Sequence, residues 1–160
     1  MNLKKIDFKY VYDIKCTNKE EIFNLEKNKD REYILKNPTK ISVYTDKGVL
    51  YVSTFPNFMF DGRSGGPVID CYVPNLGSFD ERLSWLVHDA NAYAQCLDFK
   101  STNKLLYLML RDLCGYSKVK AKIVQTAVSL TKSWFGVPKI YDKYYWNQFK
   151  LSVWFTKNTN

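Results

Sequence analysis

Ile41-Ser-Val-Tyr-Thr-Asp-Lys-Gly-Val-Leu-Tyr-Val-Ser-Thr54 is the stretch that decides the fold class. Ile41–Thr45 and Val49–Thr54 are rich in β-branched and aromatic residues, and Asp46-Lys47-Gly48 between them is good hairpin turn chemistry. Upstream, Glu32–Lys36 reads as a further strand. Downstream, Phe58–Phe60 extends the sheet until a glycine-rich loop breaks it. Beyond the loop the apolar period changes from two to about 3.6. Ser78 and Glu81 form a Ser-x-x-Glu capping box, in which Ser78 accepts from the Glu81 amide and Glu81 reaches back to the Ser78 amide. Leu83, Leu86, Val87, Ala90, Ala94 and Leu97 then predict one helix from Ser78 to about Leu97.

A second helix is expected from Thr102 to Cys114, ended by Gly115. A third is expected from Ser117 to Phe135, ended by Gly136 and Pro138. The third should bury Val119, Ile123, Ala127, Leu130 and Trp134 and turn Lys118, Lys122, Gln125 and Lys132 to solvent. A sheet followed by three helices is an α+β arrangement. The chain reads as one domain, 1–160. Its parts are an N-terminal extension (1–31), a sheet and glycine loop (32–76), a helical part (78–136) and an aromatic tail (137–160). The extension mixes Phe8, Tyr10 and Tyr12 with the charged stretch Asn18–Arg31, read as a short helix. The tail, with Tyr141, Tyr144, Tyr145, Trp146, Phe149 and Trp154, reads as extended structure or a short helix.

With 46% hydrophobic and 16% aromatic residues in 160, the composition supports a real core and argues against disorder. No apolar run reaches the ~18 residues that a membrane span needs. The charged start, Met1–Lys9, lacks the apolar centre of a secretion signal. Cys16, Cys71, Cys96 and Cys114 show no CxxC spacing, and they read as buried thiols of a reducing cytosol ahead of a disulfide pair. The net charge of +8 is uneven. Residues 1–50 carry +3, residues 51–100 carry −3, and residues 101–160 carry +8. An acidic middle suits a metal ion or a cationic ligand, and a basic flank suits an anionic partner.

The chemistry-bearing residues fall on the loop and the first long helix. Asp61 and Ser64 lie in the glycine loop, and the helix carries His88, the chain's only histidine, beside Asp89. A lone histidine next to a carboxylate is the usual composition of a general base with its orienting partner. At helical spacing His88 shares a face with Ser84, Asn91 and Gln95, and Asp89 with Trp85 and Tyr93. A satisfied structural histidine has the same signature. Gly62-Arg-Ser-Gly-Gly-Pro-Val68 looks like the nucleophile loop of chymotrypsin-like proteases. However, Arg63 stands where that loop has an aspartate, the histidine follows the serine, and the chain is too short for two barrels. A zinc site of several histidines is excluded by count. Asp61, His88 and Asp89 include donors for a divalent metal, but no spacing rule demands one, and no cofactor is specified. Lysines interleaved with aromatics towards the C-terminus could serve a nucleic acid, yet the solvent face of an amphipathic helix explains them more simply.

The order of these features resembles a family of small, largely uncharacterised tailed-phage and prophage proteins. Asp61-Gly62-Arg63-Ser64 matches the start of the family's Asp-Gly-x-Ser-x-Pro loop, with Pro67 one residue late. His88-Asp89 matches its His-Asp-x-x-Tyr helix, with Tyr93 one position late. Thr102-Asn103 ahead of Leu105-Leu106-Tyr107 matches its third signature, with Asn103 where the family carries an acid. The resemblance covers about residues 40–136 and implies phage origin more firmly than mechanism. The expected function is then a hydrolase-like or ligand-binding role for a pocket of Asp61, Ser64, His88 and Asp89. The alternative is a non-enzymatic virion or host-interaction protein. Either would work in the host cytoplasm or the virion, with a phage or host protein as partner in preference to nucleic acid.

Overall fold

The computed structural model describes residues 3–25, 33–60, 77–130 and 151–158. Six strands and four helices occupy them: β1 (Val11–Cys16), α1 (Lys19–Phe23), β2 (Tyr33–Leu35), β3 (Lys40–Thr45), β4 (Gly48–Ser53), β5 (Phe58–Phe60), α2 (Phe79–Ala94), α3 (Phe99–Asp112), α4 (Lys118–Ser129) and β6 (Ser152–Lys157). The main sheet is antiparallel, in the order β1-β3-β4-β6, and β2 pairs with β5 in a separate two-stranded ribbon. This is the α+β arrangement expected from the change of period.

The β3–β4 hairpin pairs Ile41 with Val52 and Val43 with Leu50, so all four side chains enter the same face, where they are buried. The other face carries Ser42, Tyr44, Val49 and Tyr51, each half-buried. Alternation alone would bury Val11 and Asp13 together. A register shift between them lets Val11 and Ile14 both reach the core. On β6, Phe155 lies opposite Leu50 and meets Phe8 edge-on at 5.8 Å. On the outer face Trp154 stacks on Tyr51 at 5.2 Å.

The helices cover the inner face. α2 lies against β4, β5 and β6, α3 packs on α2 and β1, and α4 packs on α3. Leu83, Leu86, Val87 and Ala90 of α2 are fully buried, as their spacing predicts. Each fully buried Leu or Val contributes roughly 1.5–3 kcal/mol, against about 1 kcal/mol for a helix cap. Packing therefore holds these helices, and the caps set where they begin. Ser78 accepts from the Glu81 amide at 3.3 Å, and the Glu81 carboxylate reaches the Gly77 amide at 3.0 Å, one residue beyond the expected Ser78 amide. α2 ends at Ala94, before Leu97, because Gln95 takes a left-handed conformation with φ 53°.

Several expectations are corrected. The sheet extends outside 32–76, since β1 comes from the N-terminal segment and β6 from the aromatic tail. α3 begins at Phe99 and not Thr102, because the Asp98 carboxylate accepts from the Ser101 amide at 2.7 Å and caps the helix there. α4 is rotated relative to its expected face. It buries Ala121, Val124, Ala127 and Val128, leaving Val119 71% and Leu130 82% exposed. Small residues on that face allow α3 and α4 to approach closely. The thiols of Cys16, Cys96 and Cys114 are free and half-buried rather than fully buried. The expectations for Cys71, for the glycine loop, and for residues 131–150, including Lys132 and Trp134, lie outside the described residues.

Candidate functional site

His88 and Asp89 sit on α2, which packs on α3, and both are buried, at 8% and 5% exposure. The His88 Nδ1 lies 3.1 Å from Asp89 Oδ1. On the other side of the ring, Nε2 lies 2.9 Å from the Oδ1 of Asn103 on α3. The Asn103 amide nitrogen donates to the Ser129 hydroxyl at 3.3 Å, and that hydroxyl donates back to the Gln125 carbonyl at 2.7 Å. A single run of hydrogen bonds thus crosses from α2 through α3 to α4. A buried polar group is costly unless it is hydrogen-bonded, and the contacts to Asp89 and Asn103 meet both ring nitrogens of His88.

The rest of the expected polar stripe turns elsewhere. The Ser84 hydroxyl donates to the Asp80 carbonyl at 2.7 Å and lies 3.7 Å from the Cys114 sulfur. The Asn91 side chain donates to the Thr102 hydroxyl and accepts from the Leu97 amide at 3.2 Å, closing the turn between α2 and α3. Tyr93 packs against Phe58, with ring centroids 6.0 Å apart. Trp85 meets the His88 ring edge-on at 6.2 Å. Its indole nitrogen is buried with no hydrogen-bond partner among the described residues. Asp61 and Ser64 lie outside the described residues, as does their expected approach to His88.

Burial also acts on the nearby thiol. Desolvation pushes Cys114 up to about 12, against a smaller lowering effect of the Ser84 hydroxyl, so it stays protonated and makes a poor nucleophile. Among the described residues no group of three or more His, Cys, Asp or Glu side chains could hold a metal ion. No helix among them is long and apolar enough to cross a membrane. The sequence pointed to His88 and Asp89, and the structure brings them together. Asn103 was legible only as the residue at the resembled family's acidic position. Trp85 was legible only as a residue on the face of Asp89, and Ser129 carried no signal, because its role arises from how α3 and α4 pack. Comparison with protein-family models, with curated proteins and with solved structures found no match for this chain.

Proposed function

We propose that this chain is a phage-type accessory protein that acts by binding, as a virion component or a host-protein partner in the host cytoplasm. In this reading His88 and Asp89 hold the helical layer together and turn over no substrate. The observation that carries it is the pair of short contacts on the His88 ring, to Asp89 at 3.1 Å and to Asn103 at 2.9 Å, on a residue 8% exposed. A general base must meet the proton it takes at about 3 Å, directly or through one water. Here the ring nitrogen opposite the carboxylate already faces an amide oxygen.

The hydrolase-like reading keeps two observations in its favour. The Nδ1–carboxylate contact is the geometry that orients a catalytic imidazole, and the indole N–H of Trp85, without a partner among the described residues, packs beside it. It requires Ser64 or Asp61 to act with His88. Thermal denaturation separates the two readings. Functional side chains are commonly held at a cost to stability, so removing one tends to stabilise, whereas breaking a buried pair destabilises. The binding reading expects His88→Ala to melt at a lower temperature than the parent. A melting temperature equal to or above the parent's supports catalysis.

A further inference from the structure

We propose that the cleft between the N-terminal segment, α3 and α4 is a binding site for a compact ligand bearing a chain of phosphate groups. The cleft has a volume of about 690 Å³ and is lined by Lys5, Lys100, Lys104 and Lys122, with Tyr107 and Gln125 between them. Among the described residues its single carboxylate-bearing wall residue is Asp7. None of the four lysines is ion-paired among the described residues.

The lysines converge through packing, since they come from three separate segments. Backbone bonds fasten the N-terminal strand of chain to the α2–α3 turn, from the Lys4 amide to the Cys96 carbonyl (3.1 Å) and from the Asp98 amide to the Lys4 carbonyl (3.0 Å). The Ile6 amide also donates to the Ser101 hydroxyl at 2.9 Å. These contacts bring Lys5 beside the first turns of α3, where Lys100 and Lys104 stand. α4 contributes Lys122, whose ammonium donates to Gln125 at 2.8 Å. The start of α3 is already capped by Asp98, so the side chains supply the positive field and the helix end does not.

Size and chemistry fix the class of ligand. A cleft of this volume falls within the roughly 300–1,000 Å³ of small-molecule sites. Like charges crowded in a concavity repel one another, and a polyanion turns that repulsion into attraction. Lysine meets phosphate oxygens as a point charge, while planar carboxylates favour the paired donors of arginine. Arg111 is held by Asp112 and lies over the Tyr107 ring at 5.4 Å, and it is not among the residues lining the cleft. Lys104 sits 5.0 Å from the centroid of the same ring, which leaves Tyr107 as the aromatic wall of the site. The proposal is independent of the role of His88.

Calorimetric titration of the whole chain at low salt tests it, with tripolyphosphate and ATP as separate probes. Tripolyphosphate should bind saturably at one site and raise the melting temperature. Lys104→Gln/Lys122→Gln and Lys5→Gln/Lys100→Gln should each weaken it at least tenfold, while Lys15→Gln, on the far face of the sheet, should not. Comparable affinity for ATP assigns recognition to the phosphate chain, and tighter binding of ATP adds a base against Tyr107; both support the site. Absence of saturable binding would overturn it. So would parent-like affinity in both double variants, or binding only to single-stranded oligonucleotides with affinity rising with length.

Discussion

The Nε2 of His88 stands 2.9 Å from the Oδ1 of Asn103, joining α2 to α3 at the point where Asn103 also bonds Ser129 of α4. α4 packs on α3, so this polar junction is part of what anchors it. Replacing Asn103 by Ala removes the partner of a buried ring nitrogen, a loss of about 1–3 kcal/mol. Hydrogen exchange should quicken across Lys118–Ser129 in that variant before it quickens in the β3–β4 hairpin. Uniform quickening across both would show that the junction does not serve α4 in particular.

Gly48 has φ +148° where β6 passes closest, and a Cβ there would overlap the Thr156 carbonyl oxygen and stand 2.9 Å from Lys157 Cα. Both obstacles are backbone and cannot swing aside. Gly48→Ala should therefore cost more than Gly115→Ala, whose residue has φ +71° but open space around it. The second change carries only the left-handed penalty, on the order of 1 kcal/mol. Chemical denaturation of the two variants makes the comparison, and equal losses would refute the β4–β6 pairing.

How much of this was readable in advance depended on how local each signal was. The Ser78 cap and the stripe from Leu83 to Ala90 lie within one helix, and they placed α2 correctly. The β3–β4 hairpin was equally legible from its turn. β6 was not, because its partner β4 is about a hundred residues away and nothing in Ser152–Lys157 names that partner. α4 was misread in register because Val119 and Leu130 are more hydrophobic than Ala121, whereas close packing on α3 selected the small side chain. For the site, adjacency made His88 and Asp89 visible. Asn103 became a partner only when two helices crossed.

Asp46 gives a pH dependence of known sign. Burial raises its carboxyl, but the Lys9 amide, the Lys47 side chain and the Tyr10 amide outweigh burial and hold it below the usual carboxylate range. A carboxyl depressed on folding stabilises above its unfolded value, near 3.9, and loses that contribution as pH falls through the folded value. Asp46→Asn should thus be less stable than the parent at pH 7, with the gap closing in acid below about pH 4. A gap that persists or widens in acid would contradict this assignment.

Cys114, pushed up to about 12 by desolvation, should resist alkylation in the folded protein. Burial raises Cys16 and Cys96 as well. Mass spectrometry after iodoacetamide at pH 8 should find Cys114 unmodified in buffer and modified in denaturant. Rapid labelling of the native protein would mean that the Ser84–Cys114 region opens readily.

If His88 is a structural link between helices, a double-mutant cycle on His88 and Asn103 measures the coupling it carries. His88→Ala, Asn103→Ala and the double variant would be unfolded by denaturant and compared with the parent. Residues that share one buried network couple by roughly 0.5–3 kcal/mol, whereas independent sites add to within a few tenths. Each single change should destabilise, and the double change should cost less than the two together. Additive losses, or a His88→Ala variant as stable as the parent, would contradict it.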